Sequence, residues 1–249
     1  GSESMKKRGI KSAVLIAIVL VCAFPLAAQN HQGGTVGNQQ GQGETTVEEL
    51  FLESIEMRII GEQAFSEERE MKLTALDNLE GMIEDGEVGP NDQEAHYILE
   101  RLANQGIGVE LVQGKTVVNN FPEVRRRAAK LLGQMGGSQA QATLINILIG
   151  DPEPMVLAEA AYALGEIGNN ENQQATQAIA YGILNQDIMT PDNNFAFAAL
   201  LAFEKIAEAN GGLQDPNAFR ALIRISQGNY IRTVRRKADQ VLQTLAEYQ

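Results

Sequence analysis

Groups able to do nucleophilic, acid–base or metal chemistry near neutral pH are scarce in this 249-residue chain. It has two histidines, His31 and His96, and one cysteine, Cys22. Cys22 lies in an apolar run near the N-terminus, and His31 in a Gln/Asn/Gly stretch just after it. Neither has neighbours at metal-ligand or catalytic spacing. His96 falls in a helical pattern, in register with Gln141 and Thr176 of two later copies. It is expected to be an exposed polar helix residue, not a base or a ligand. No glycine-rich phosphate loop, nucleophile elbow or His/carboxylate metal spacing occurs. Carboxylates abound, but on helix surfaces they are usually solvated, and pairing two into an acid–base site would be arbitrary. The sequence therefore predicts no enzyme, no cofactor and no metal.

The charge balance narrows the partners. Formal net charge is −12. The first 28 residues hold four basic residues and one acidic residue, so the rest carries 16 minus 31, or −15. Phosphate affinity depends on accumulated Lys and Arg, so nucleic acid is excluded as a general partner. Aromatics are few and Trp is absent, a composition suited to closely packed helices.

The N-terminus has the layout of a secretory signal: Met5 opens a Lys-Lys-Arg cluster, and SAVLIAIVLVCAFPLAA follows. Cleavage is expected after Ala28. An uncleaved anchor is the alternative, but the uncharged run 12–28 contains Pro25 and is marginal for spanning. A lipoprotein cut before Cys22 would want a small residue in place of Val21. Residues 1–28 are thus read as a vector-derived remnant (1–4) plus signal peptide. Residues 29–45 form a Gln/Gly/Asn-rich tether with too little apolar surface to offset ordering. Residues 46–249 form the folded domain. Removing the signal leaves no cysteine, which suits an oxidising compartment.

That domain is repetitive. PEVRRRAAKLLGQMG and EPMVLAEAAYALGEIG align Ala128 with Ala160, Leu132 with Leu164, Gly133 with Gly165 and Gly136 with Gly168. Val234, Ala238, Leu242 and Leu245 match the same register, as do Phe195, Ala199, Phe203 and Ile206, and Met71, Ala75, Leu79 and Met82. Spacings of this size indicate stacked supersecondary units. Each copy follows another amphipathic helix, with apolar positions at Leu50, Ile55 and Ile59, at Ala95, Leu99 and Leu102, and at equivalent places downstream. Thr46 with Glu49 and Ser138 with Gln141 have capping-box spacing. Thr190-Pro191 and Asp215-Pro216 place a cap before a first-turn proline. Gly136 and Gly168 fit left-handed stops. Gly133 and Gly165 cost propensity inside helices, so a neighbouring helix is expected to pass too close for a side chain.

These residues carry a resemblance. Asp151–Gly168 resembles the second helix of a HEAT repeat, especially the HEAT-like variety also found in phycobilin lyases. The match is strongest over 122–168. The resemblance implies an all-α solenoid of about five stacked hairpins, with second helices lining the concave side, used as a binding scaffold. Some HEAT-like enzymes hold a di-iron centre through His-Glu pairs, but no such pair stands here. A lyase-like enzyme has no candidate residues.

On the wheel of the second helices, Arg126 and Lys130 point away from the core. Their equivalents are Ala158 and Tyr162, then Phe197 and Leu201, then Arg236 and Gln240. An apolar patch at Phe197 and Leu201, rimmed by charge, fits a partner surface; burial between neighbouring helices fits the same residues. Arg125–Arg127 and Arg235–Lys237 open second helices, where structural pairing with carboxylates competes with partner binding. Residues 106–121, GIGVELVQGKTVVNNF, interrupt the helices and fit a small β-hairpin around Gly114-Lys115, serving as a binding loop or merely covering the solenoid's side. From Glu44 to Glu100, 17 acidic residues face three basic ones; from Gln214 onward, six basic face three acidic.

The expected function is an exported, non-enzymatic scaffold in a bacterial periplasm or secreted. It would bind a protein through Arg126, Lys130, Tyr162, Phe197, Leu201 and Arg236, and would meet membrane only through an uncleaved signal. The same signal layout serves eukaryotic secretion. The alternative is a structural component that stacks its acidic end on the basic end of the next copy.

Overall fold

The hydrophobic pattern of period 3.6 becomes helix almost everywhere. The computed structural model describes residues 47–107, 111–186 and 190–248. Within these, ten α-helices follow one another: α1 (Val47–Phe65), α2 (Arg69–Glu84), α3 (Gln93–Ala103), α4 (Pro122–Met135), α5 (Gly137–Gly150), α6 (Pro154–Ile167), α7 (Gln174–Asn185), α8 (Asn193–Asn210), α9 (Pro216–Gln227) and α10 (Arg232–Ala246). Consecutive pairs pack as five hairpins. The second helices α2, α4, α6, α8 and α10 form one layer, each touching the next, and the first helices α1, α3, α5, α7 and α9 form the other. No single hairpin can bury its apolar stripe, so each gains its core from its neighbours. The buried apolar residues accordingly run as one cluster from Met57 to Leu245. This is the all-α solenoid anticipated from the repeats. Among the described residues, no helix is long and apolar enough to cross a membrane. The proposed signal, the tether and the Thr46 capping box lie outside the described residues.

Between α3 and α4 the chain forms the expected hairpin. Strand β1 (Val112–Gln113) pairs antiparallel with β2 (Thr116–Val117), Val112 opposite Val117. Gly114 takes φ +67° in the turn, a conformation costly for other residues.

Alanine and glycine set the spacing of the second-helix layer. A Cβ on Gly133 would lie 2.5 Å from the Ala163 Cβ, and one on Gly165 would lie 2.7 Å from the Ala202 Cα. The helices α4, α6 and α8 therefore approach as closely as backbones allow, as the two mid-helix glycines implied. Gly168 ends α6 in the left-handed region at φ +68°, ψ −7°. Gly136 ends α4 at φ +73° but with extended ψ, because α5 starts at the very next residue.

Several local expectations are overturned. Ser138 does not cap α5, which already begins at Gly137; Gln141 is instead buried and exchanges hydrogen bonds with Asn169. Thr190-Pro191 does not open α8. Asp192 caps it, accepting from the Phe195 N–H at 2.7 Å. Asp215 caps α9 as expected, accepting from the Asn217 N–H at 2.9 Å. At the N-terminal end, Ile59 is 47% exposed while Met57, Ile60 and Ala64 are buried, and Met71 is also exposed. Among the described residues, the terminal hairpin has a neighbouring hairpin on one side only, so a narrower arc of each helix is covered than in the middle of the stack. At the other end Leu242 is half-buried, with Val241 taking the core position.

The close approach yields a measurable contrast. Gly165→Ala is expected to lower unfolding stability by about 1–3 kcal/mol, because the added methyl meets backbone. Gly81→Ala, whose Cβ would meet nothing within 4 Å, is expected to raise it by about 0.5–1 kcal/mol. Urea unfolding followed by circular dichroism reads both.

Candidate interaction surface

Among the described residues, the second-helix layer carries most of the ion pairs. Arg127 donates to Asp77 and Glu80, and Lys130 to Glu80 at 2.5 Å, tying α4 to α2. Arg69 and Glu123 add a further α2–α4 bridge. Arg126 pairs with Glu159 at 3.1 Å across α4 and α6. Lys205 pairs with Glu166 across α6 and α8, and Lys237 with Glu204 at 2.6 Å across α8 and α10. Every neighbouring pair of second helices is thus clamped. Lys130, with Arg127 beside it, holds the Glu80 carboxyl below its ordinary value, and Lys205 does the same to Glu166. Glu166 in turn raises the Lys205 ammonium.

Arg125 differs from these surface pairs, being fully buried. Its Nε donates to Asp151 Oδ2 at 2.7 Å and its Nη2 to Oδ1 at 3.3 Å. Its Nη1 donates to Asn120 Oδ1 at 2.6 Å and to the Gln105 carbonyl at 3.3 Å. Asp151 Oδ1 also accepts from the Glu153 N–H at 2.9 Å. The first basic cluster is therefore structural: Arg125, Arg126 and Arg127 are all engaged within the chain. The second is split. Lys237 is paired, whereas Arg235 and Arg236 are exposed and have no ion-pair partner among the described residues.

Tyr162, Phe197 and Leu201 are brought together. They line a groove of about 420 Å³ with Met155, Ile231 and Thr233, between α6, α8 and the start of α10. Phe197 is 36% exposed and Leu201 half-buried, so neither is lost in the core. Lys205 Nζ stands 4.7 Å above the Tyr162 ring, a cation–π contact that orients the ring. Arg126 reaches this groove only through Glu159, which lines it, while Lys130 lies over the α4–α6 seam beside Gly133 and Arg236 stands apart on α10. The apolar contributions of Met155 and Ile231 escaped the helical wheel because both stand at helix starts, outside the interior positions a wheel compares.

A second hollow, of about 880 Å³, lies in the first-helix layer between α5 and α7. Exposed Ile149 and Tyr181 line it among Asn146, Gln177 and Asn185.

His96 is not the exposed residue it was expected to be. It is buried, its Nε2 3.4 Å from the Thr143 Oγ1 of α5. The positions in register with it, Gln141 and Thr176, are buried as well, Thr176 bonding to Asn170 and the Gln173 carbonyl. The register is a polar seam between first helices. Among the described residues, no group of three or more His, Cys, Asp or Glu side chains is placed to hold a metal.

The family comparison agrees with this geometry. Residues 115–187, from β2 through α7, match the family model of HEAT repeats. The five stacked hairpins in two layers are consistent with a HEAT-like repeat protein beyond the matched residues. Repeats of this family commonly act as scaffolds for protein–protein interaction. No curated protein matches the chain.

Two outcomes follow from the pairs. Arg125→Met is expected to cost about 3–5 kcal/mol, since it leaves Asp151 buried and uncompensated. Combining it with Asp151→Leu should restore part of that loss, so additive costs in a double-mutant cycle would contradict the coupling. The second outcome concerns pH. Glu80 and Glu166 have folded pKa values below the ordinary 4.5. Their contribution is therefore present above pH 4.5 and lost as pH falls through the lower folded values. The urea midpoint should be flat from pH 7 to 5 and drop below 4.5, with a smaller drop in Glu80→Gln/Glu166→Gln.

Proposed function

We propose that this chain is an exported, non-catalytic scaffold that binds a protein partner on its second-helix face, with the groove of Tyr162, Phe197 and Leu201 as the contact. The carrying observation is that this groove stays apolar and open in a layer where the adjacent cations and carboxylates are already paired with one another. Paired charges offer a partner little, because their hydrogen bonds are spent, whereas Phe197 and Tyr162 supply anchor area of the kind that dominates interfaces. The close helix spacing at Gly133 and Gly165 supports assigning this layer to the inside of the solenoid's curve. The basic cluster and apolar run at the N-terminus support export, and a bacterial periplasm is the compartment we assign. Arg126 and Lys130, already paired with Glu159 and Glu80, hold those carboxylates in place and are not partner contacts in this reading, and Arg236 lies apart from the groove.

The test is a pull-down from envelope extract with the mature chain and two controls. Phe197→Asp/Leu201→Asp should abolish capture of a specific protein while leaving the melting temperature nearly unchanged. Ile149→Asp/Tyr181→Asp should leave capture intact. The reverse result would move the interface to the first-helix layer.

A second reading has its own observation. Among the described residues, Arg235 and Arg236 have no ion-pair partner, and they are exposed at the end of the stack opposite the acidic α1 and α2, which suits head-to-tail association. Light scattering would then show a mass that grows with concentration and shrinks with salt. A mass independent of both would end this reading.

A further inference from the structure

The repeat register singles out one buried cation that lacks the carboxylate its equivalent has. Met71 aligns with Val124, so Lys72 of α2 occupies the place of Arg125 in α4. Lys72 is only 3% exposed. Arg125 reaches forward to Asp151, at the corner between the helices of the next hairpin. Ala95 of α3 aligns with Ala140 of α5, an offset of 140 − 95 = 45, so Asp151 corresponds to residue 106. That residue is Gly106, where the inserted hairpin begins. Gly106 carries no carboxylate to meet Lys72.

The consequence is visible around Lys72. Its Nζ donates to the Ala64 carbonyl at 2.9 Å, and it has no ion-pair partner among the described residues. Burial lowers its pKa, with the Arg101 cation adding to the effect and only Glu67 opposing it. Where Arg125 has packed loop against it, Lys72 lines a cleft of about 600 Å³ with Phe65, Tyr97, Arg101, Gln105 and Leu111. Glu100 is the one carboxylate in that lining. Phe65 and Tyr97 meet edge to face with centroids 5.9 Å apart, and the Arg101 guanidinium lies 6.0 Å from the Phe65 ring. The Gln105 Oε1 atom is buried and has no hydrogen-bond partner among the described residues. Buried polar atoms are rarely left so. Among the described residues, the cleft thus combines a buried cation short of an anion with a buried acceptor short of a donor, beside an exposed aromatic pair.

We propose that this cleft binds an organic carboxylate flanked by an N–H donor, the chemistry of an N-acylated amino acid or a peptide C-terminus. The carboxylate takes the counter-ion role toward Lys72 and Arg101 that Asp151 takes toward Arg125. The adjacent N–H donates to Gln105 Oε1, and an apolar side chain packs on Phe65 and Tyr97. The site stands apart from the Tyr162–Phe197–Leu201 groove and does not depend on it.

Titration of the full chain with N-acetyl-phenylalanine, its C-terminal amide and the tetrapeptide Ala-Ala-Ala-Phe, followed by calorimetry and NMR, tests the site. Both free carboxylates should bind saturably and the amide at least tenfold more weakly. Lys72→Met should weaken carboxylate binding at least tenfold while circular dichroism shows the fold intact. Arg101→Gln, at an exposed position, should weaken it severalfold and serves if the Lys72 variant fails to fold. Tighter binding of the tetrapeptide assigns the site to chain ends, and equal binding to small acids. Absence of saturable carboxylate binding, equal binding of the amide, or affinity unchanged in the folded variants overturns the proposal.

Discussion

The Arg125–Asp151 pair is the constraint on which the middle of the solenoid depends. A fully buried guanidinium is tolerated only when its donors are satisfied and its charge is compensated. Here the carboxylate accepts at two atoms, and Asn120 and the Gln105 carbonyl take Nη1. Those partners come from the end of α3, the start of α4 and the α5–α6 corner. One side chain thereby joins two hairpins and pins the base of the inserted β-hairpin. Arg is suited to this because its planar fork meets several acceptors in fixed directions, which an ammonium cannot do. Once α4 and the α5–α6 corner are held, the seating of Gly133 against Ala163 has little freedom, and the α4–α6 spacing follows.

Surface ion pairs play a different part. Pairs such as Arg126–Glu159 and Lys237–Glu204 are partly exposed, and such contacts contribute little singly. Their value lies in placement: one at every seam of the second-helix layer, where a slip of one turn would separate the partners. They also withdraw charge from the surface. The layer therefore presents an open apolar groove at Tyr162, Phe197 and Leu201 rather than a field of free cations.

The architecture was legible because it rests on periodicity. Ala128, Leu132, Ala160 and Leu164 recur at helical spacing, and glycines stand in register at 133 and 165, so the hairpins and their close packing could be read from order alone. Caps were less legible. Thr190 and Asp192 both suit a helix start, and which one wins depends on where α8 packs. His96 misled for a related reason. A polar residue on a first helix looks solvated when one helix is considered, but its register lies between adjacent first helices. The partners of Arg125 were hidden because Asn120, Gln105 and Asp151 come together only after three hairpin elements have folded.

A repeat array makes its departures informative, since each unit is a control for the others. Phe197 and Leu201 place apolar side chains where α4 carries Arg126 and Lys130 and α10 carries Arg236 and Gln240. Lys72 departs by holding a buried cation where Gly106 stands at the place of the carboxylate. A shortened side chain or an apolar residue would have removed the desolvation cost; Leu157 and Ala196 do so at the same register in α6 and α8. That the chain pays this cost in its second-helix layer only at Arg125, where an anion is built in, and at Lys72, where a cleft takes the anion's place, argues that the cleft is there to be filled.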